Sequence, residues 1–186
     1  MMIREGRPGG AETAHEPAKA TGQYTRSAAQ IRPVGPEPGI SEMLIGSLLY
    51  TSVAEASAVL VLVQDEDVDP PLNLVLAAIR SLVDREVLPA PQLVLDELKR
   101  TGALNRQAAT ALLSATTTGA CSSAARYYAA AVVSESLRRK VESAGFALTS
   151  AATTAPEADL APLAERAAAA VQNCARRLES LRGEAR

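Results

Sequence analysis

The sequence has 186 residues, of which 47% are hydrophobic, and its formal net charge is −2. A chain of this length can bury one hydrophobic core of ordinary domain size. The small net charge excludes a general attraction to nucleic acid, because duplex-binding domains usually present a clustered basic face. Even residues 118–186, with nine basic and seven acidic groups, are only slightly basic.

Much of the hydrophobic content is alanine, whereas the chain has one Phe and no Trp. Alanine has the highest helix propensity, and its small side chain lets helices approach closely. The composition therefore predicts an all-α protein.

Residues 1–40 contain five prolines and six of the eleven glycines. Such a segment cannot bury enough apolar surface to offset the entropy of ordering it, which predicts a disordered Pro/Gly-rich tail. Charged residues near its start exclude a secretory signal, and the longest apolar run, near residues 58–63, is too short to cross a bilayer. We expect a cytoplasmic protein with reduced cysteines.

Residues 41–118 predict a helical core. Ser41 can cap the first helix, and Pro71 and Pro91 suit the entrances of the third and fourth, because proline is tolerated in the first turn. Gly102 suits a helix end. The five expected helices run over about residues 41–50, 52–63, 71–85, 91–102 and 105–116.

Residues 119–186 predict a helical hairpin that belongs to the same domain. Apolar residues recur at alternating spacings of three and four on two long helices, which is the pattern of a coiled-coil seam. The short connection through Thr153, Thr154, Ala155 and Pro156 makes these helices antiparallel neighbours. We expect more apolar edge than one core can cover, and therefore dimerisation. The predicted dimer and hairpin interface consists of Tyr127, Leu137, Val141, Leu148, Leu160, Val171, Cys174, Leu178 and Leu181.

The two cysteines are too far apart for an intrachain disulfide. A turn near Thr153 places Cys174 across from Val133, and Cys121 lies twelve residues further along, or ~18 Å. We expect Cys174 to be a small buried hydrophobe. Cys121, beside a helix N-terminus, is expected to have a lowered pKa, but a functional thiol is the less favoured interpretation.

Catalytic chemistry is not expected. A phosphate-binding Walker loop needs Gly-Lys before Ser or Thr, and none of the three lysines follows a glycine. The only histidine, His15, lies in the predicted tail, which excludes a histidine-based triad. We therefore predict no catalytic residue, no cofactor and no metal site.

Two clusters of charged residues allow two interpretations, an ordinary charged surface or a binding site. The acidic run Asp65, Glu66, Asp67 and Asp69 lacks the glycine and closing glutamate of a calcium loop, so we expect a solvated acidic surface. The basic residues of the hairpin could touch phosphates, but a solvated face or pairing with acids is the favoured interpretation. These residues are Arg138, Arg139, Lys140, Arg176 and Arg177.

Three stretches resemble one family. They are residues 42–49 (EMLIGSLL), residues 97–104 (ELKRTGAL), and residues 118–145 with their small-residue turn, Tyr-Tyr pair and Leu followed by basic residues. In order and spacing they are similar to the N-terminal domain of bacterial replicative DNA helicases. The resemblance implies a hairpin that forms dimers, dimers that build a collar on a hexameric motor, and recruitment of primase. The motor would lie beyond the hairpin, so we expect this chain, which ends at Arg186, not to unwind DNA itself.

The chain also departs from the family pattern. The family's aromatic pair and histidine before the third helix are replaced by residues 67–72, DVDPPL, and its Gly-Gly and Tyr-Leu elements are missing around residues 106–113. We therefore expect a rearranged core and do not assume primase binding.

The favoured hypothesis is a non-catalytic interaction and dimerisation module that acts in DNA replication by binding helicase, primase or loader. The alternative is a structural or regulatory helical dimer unrelated to replication. A less favoured hypothesis is single-stranded DNA binding, in which Tyr127 and Tyr128 would stack on bases. For both tyrosines we expect packing in the core or at an interface instead.

Overall fold

The computed structural model describes residues 37–183, which form seven α-helices and no strand. The predicted all-α class, with a small multi-helix core followed by a long antiparallel hairpin, is confirmed. The helices are α1 (Ile40–Leu48), α2 (Val53–Leu60), α3 (Leu72–Val83), α4 (Pro91–Arg100), α5 (Arg106–Thr116), α6 (Ala125–Thr154) and α7 (Glu157–Gly183), with 3₁₀ turns at Asp65–Asp67 and Ser122–Ala124. Residues 1–36, which hold most of the predicted tail, lie outside the described part of the chain.

Local capping sets where the core helices begin. Gly39, not Ser41, precedes the first turn of α1, and its backbone N–H donates to Glu42 Oε2 at 3.1 Å. The prediction that Ser41 caps this helix was wrong, because an acid three residues beyond Gly39 satisfies the helix entrance. Ser52 caps α2 by accepting a hydrogen bond from the Glu55 N–H at 3.3 Å, and Asn105 caps α5 in the same way. Such caps satisfy backbone donors that the helix itself leaves free.

The core is built around α1, which contacts α3, α5 and α6. Leu44, Ile45 and Leu48 are fully buried there. Between them, Gly46 meets the end of α5 so closely that a Cβ atom would lie 2.6 Å from the Ala115 carbonyl oxygen. The glycine in the EMLIGSLL stretch is therefore required by a backbone approach.

A buried carboxylate joins α3 to α4. Glu97 is 3% exposed and accepts hydrogen bonds from Ser81 at 2.6 Å, Arg85 at 2.6 Å and Arg100 at 2.6 Å. The hydrogen bonds from Arg100, then Ser81 and Arg85, outweigh desolvation and lower the pKa of Glu97 far below its ordinary value. The carboxylate is thus held ionised among three donors.

The hairpin consists of α6 and α7, joined by Ala155 and Pro156. Cys174 Sγ lies 3.7 Å from the Val133 carbonyl oxygen, which confirms the register predicted from the turn. Cys174 is fully buried and Cys121 is exposed, and both are free thiols. No helix within residues 37–183 is long and apolar enough to span a membrane.

Candidate functional site

The base of the hairpin is joined to the core by a buried ion pair and a serine that hydrogen-bonds to it, which together we call the anchor. It consists of Asp67 in the 3₁₀ turn, Ser136 on α6 and Arg177 on α7. Asp67 is 1% exposed and Arg177 is 8% exposed. Arg177 donates to both carboxylate oxygens of Asp67, with Nη2 at 3.1 Å from Oδ1, and Ser136 Oγ donates to Oδ1 at 2.6 Å. The same guanidinium reaches the Leu62 carbonyl oxygen at 2.9 Å.

The anchor keeps Asp67 charged. Burial by itself raises the pKa of this carboxyl, but hydrogen bonds from Arg177, Ser136 and the Gln64 backbone N–H outweigh it, so the pKa is lower than its ordinary value. Burial likewise opposes the charge of Arg177, and Asp67 more than compensates, which raises the pKa of the guanidinium. Each charge is therefore sheltered by the other.

Further ion pairs surround the anchor. Lys140 Nζ lies 2.8 Å from Glu66, Arg139 lies 2.7 Å from Asp69, and a second bond from Arg139 reaches the Asp67 carbonyl oxygen at 2.7 Å. Together these contacts join three residues of α6 and one residue of α7 to the acidic run of the core.

The prediction of a solvated acidic surface was wrong for Asp67, which is buried, whereas the side chains of Glu66 and Asp69 are 67% and 77% exposed, as expected. All four acids of the run are paired with cations, since Asp65 also pairs with Arg80 at 3.0 Å, and Asp67 is buried. The partners lie far along the chain, which is why the acidic run by itself reads as solvated. Pairing with acids is the correct interpretation for Arg139, Lys140 and Arg177. Within residues 37–183 no group of three or more His, Cys, Asp or Glu side chains could hold a metal ion.

The residues predicted for the dimer and hairpin interface fall into three groups. Cys174, Leu178 and Leu181 are buried inside the chain, at 0%, 6% and 1% exposure. Leu137, Leu160 and Val171 are half-buried. Tyr127, Val141 and Leu148 are exposed, at 66%, 51% and 36%. Their role in a dimer stays a prediction, and only the last two groups offer surface to a second copy.

The residues predicted for the hairpin interface do not include the face of α6 that packs on the core. This face consists of Ala125, Ala129, Val132, Val133 and Ser136, all buried. Their spacing of three, four and seven was a detectable helical signal. It was overlooked because the neighbouring seam from Tyr127 to Leu148 shows the longer repeat. Tyr128 is partly buried against the core, whereas Tyr127 is not.

The outer half of the hairpin carries an apolar groove between its helices. This distal groove encloses about 420 Å³ and contains no charged side chain. Its lining consists of Val141, Ala144, Gly145, Leu148, Ala164, Ala167, Ala168, Val171 and Gln172. Small residues predominate, so another helix could approach the hairpin backbone closely.

A second groove, of about 540 Å³, continues from the first toward the core. This basal groove is lined by Ser134, Leu137, Arg138, Val141, Glu142, Leu178 and Arg182. Val141 is shared by the two grooves, so together they form one strip along the hairpin.

Cys121 stands alone at the turn before α6. Its Sγ lies 3.0 Å from Ser123 Oγ, and hydrogen bonding from Ser123 lowers the pKa of the thiol, as predicted. The thiol is exposed and free, and a functional role for it stays the less favoured interpretation.

These features define an all-α domain with a hairpin that is anchored at its base and whose outer half is not covered by another helix among residues 37–183. Among solved structures, the N-terminal domain of DnaB helicase from Mycobacterium tuberculosis is similar, with 26% sequence identity and a TM-score of 0.61. The match covers 75% of this chain and 99% of that domain. No protein-family model and no curated protein matches the sequence. In sequence and fold, the chain thus resembles the N-terminal domain of a replicative helicase.

Proposed function

We propose that this chain is a non-catalytic interaction module of DNA replication, which self-associates through the distal groove and binds a replicative helicase, primase or helicase loader in the cytoplasm. The observation that carries the proposal is an apolar groove, left open by the described residues, on a hairpin whose domain resembles that of DnaB helicase. The similarity spans nearly the whole of the helicase domain, so it includes both the core and the hairpin.

The physical argument for self-association begins with exposed apolar surface. Val141 and Leu148 are 51% and 36% exposed, and they lie beside alanines that present little bulk. Burying such surface is favourable by about 25 cal/mol per Å² of apolar area. A second hairpin in the groove would complete a four-helix arrangement with coiled-coil-like packing.

The charge distribution argues against DNA as the main partner. Of the hairpin's basic residues, Arg139, Lys140 and Arg177 are engaged by Asp69, Glu66 and Asp67. Those cations are not available to phosphates unless the hairpin leaves the core.

The first experiment measures mass by light scattering after size exclusion, for the wild type and two neighbouring variants. Ala168 lines the distal groove, whereas Ala169 is exposed and does not line it. Ala168→Arg should produce a monomer, because it places bulk and charge in the groove, and Ala169→Arg should leave the dimer intact. A monomeric wild type, or equal behaviour of the two variants, would contradict self-association through this groove.

The second experiment mixes the wild type with the replicative helicase, the primase and the loader of its host, each separately. Co-elution of any one of them supports the role in replication. A dimer that binds none of the three would favour the alternative, a structural or regulatory helical dimer unrelated to replication.

A further inference from the structure

The basal groove differs from the distal groove in its charge. Its floor is apolar and consists of Leu137, Val141 and Leu178, and two arginines line it, Arg138 from α6 and Arg182 from α7. Both arginines are exposed, and within residues 37–183 neither guanidinium has a hydrogen bond or an ion pair. Glu142 also lines the groove, which leaves one carboxylate against two guanidinium groups.

Neighbouring cations at the base of the hairpin are bound differently. Arg139, Lys140 and Arg177 face the acidic turn of the core and pair with it. Arg138 and Arg182 instead lie on the groove side, where the described residues supply no acid that engages them. The base of the hairpin thus presents a neutralised side and a cationic side.

We infer that the basal groove binds an acidic amphipathic α-helix of a partner protein. The apolar stripe of that helix would pack on Leu137, Val141 and Leu178, and its flanking carboxylates would pair with Arg138 and Arg182. A groove between two antiparallel helices accepts a third helix through apolar residues spaced at three and four. Guanidinium groups recognise carboxylates with two parallel hydrogen bonds, which also fixes the register of the bound helix.

Charge also argues against a second copy of this chain in the basal groove. A two-fold contact brings the same patch of both molecules together, so the two arginines of one copy would approach the two arginines of the other. Like charges at an interface oppose association. The uncharged distal groove suits a second copy, whereas the basal groove suits an acidic partner. The inference rests on the proposed function in using the hairpin as the binding element, and it adds the chemistry of the partner.

The test measures fluorescence anisotropy of three synthetic labelled peptides of equal length titrated with the full-length protein. The first is an amphipathic helix with leucines on one stripe and glutamates beside them. The second has lysines in place of the glutamates. The third has the composition of the first in a scrambled order, which keeps the charge and removes the stripe. The wild type should bind the first peptide at least about tenfold more tightly than either of the others.

Protein variants test the two arginines. Arg138→Glu with Arg182→Glu should weaken binding of the acidic peptide at least about tenfold and favour the lysine peptide. The charge-matched control is Arg106→Glu with Arg176→Glu, two exposed arginines outside the groove, which should change binding less than about twofold. Arg138→Gln with Arg182→Gln removes the charges without adding acids beside Glu142, and it should also weaken binding.

Three results would overturn the inference: no binding by the wild type, equal binding of the scrambled peptide, or equal weakening in the groove and control variants. Light scattering on the same samples separates peptide binding in the basal groove from self-association through the distal groove. A monomer that binds the acidic peptide through the two arginines would contradict the distal dimer and keep the basal site. A dimer that does not bind the acidic peptide would support the distal dimer and contradict the basal site.

Discussion

The two halves of the hairpin are built from similar residues but have opposite surroundings. At its base, Ala129 and Val133 of α6 and Cys174 of α7 are fully buried against each other and the core. Of the described residues in the outer half of α6 and α7, only Ala151 is buried, and Phe146 is 79% exposed. The seam repeat continues through both halves. The repeat therefore specifies that the helices pair, but it does not specify what covers them.

Polar groups at the base account for the difference. The anchor of Asp67, Ser136 and Arg177 joins both hairpin helices to one turn of the core, and no comparable contact joins the outer half to the core within the described residues. A helix pair that leaves the core carries its apolar edge into solvent unless a partner covers it. We expect the base to determine stability and the outer half to determine association.

The largest expected effect comes from breaking the anchor. Asp67→Asn leaves the Arg177 guanidinium buried without its counter-charge, which should lower the free energy of unfolding by about 3 kcal/mol or more. The measurement is urea unfolding followed by circular dichroism at one fixed protein concentration, because self-association would otherwise contribute.

A matched control for this variant lies two residues away. Asp69 also pairs with an arginine of α6, but its side chain is 77% exposed. Asp69→Asn should cost less than about 1 kcal/mol, as for other exposed pairs. Similar losses for Asp67→Asn and Asp69→Asn would show that burial of the anchor does not matter.

The next effect compares two leucines of the predicted seam. Leu178 at the base is 6% exposed, and Leu148 in the outer half is 36% exposed. Leu178→Ala should cost about 2 to 4 kcal/mol, since it leaves a cavity in the core, and Leu148→Ala should cost less than about 1 kcal/mol. The mass of each variant should show the opposite ranking, with Leu148→Ala weakening the dimer. Equal losses of stability would contradict the division of the hairpin into two halves.

Two glycines provide a smaller and cleaner comparison. Gly46 of α1 faces the Ala115 carbonyl oxygen, whereas a Cβ at Gly145 in the outer half of α6 would meet nothing within 4 Å. Gly46→Ala should cost about 1 to 3 kcal/mol through overpacking. Gly145→Ala should stabilise the monomer by up to about 1 kcal/mol, because alanine favours the helix. Thermal unfolding of the two variants beside the wild type measures both, and a tolerated Gly46→Ala would remove the argument for close approach.

Local patterns predicted the helices well. The entrances at Ser52, Pro91 and Asn105 depend on the chemistry of a few neighbouring residues, and the hairpin register depends on counting from one turn. The anchor could not be predicted in the same way. Asp67 and Arg177 are 110 residues apart, and their contact depends on how the hairpin docks on the core. Each of them, seen alone, has the sequence context of a solvated charge.

Only part of the candidate site could be predicted, again because a local pattern does not show which elements pack together. The seam repeat identified Val141 and Leu148, which are exposed, together with Leu178 and Leu181, which the core covers. A repeat along one helix carries no information about the element packed against it. That Arg138 and Arg182 line the same groove likewise depends on the register of both helices, which neither helix shows by itself.

The smallest effect is a loss of stability in acid. The pKa values of Asp67 and Glu97 are both lowered in the folded protein. Groups of this kind contribute stability that is fully present above their unfolded pKa values, about 4, and is lost as the pH falls toward the folded values. The loss should begin near pH 4 and grow as the pH falls, because the unfolded chain then binds protons that the two folded carboxylates do not.

The acid effect should originate in the core and the base of the hairpin. Urea unfolding at a series of pH values should show the loss below pH 4 in the wild type and a shallower loss in Glu97→Gln and Asp67→Asn, which lack one titrating carboxyl each. Hydrogen exchange at acidic pH should show protection falling in α3, α4 and the first half of α6 before it changes further along the hairpin. If the outer half of the hairpin lost protection first, the carboxylates of the base could not be the cause, and the contrast between the two halves would have to be explained by dissociation of the dimer instead.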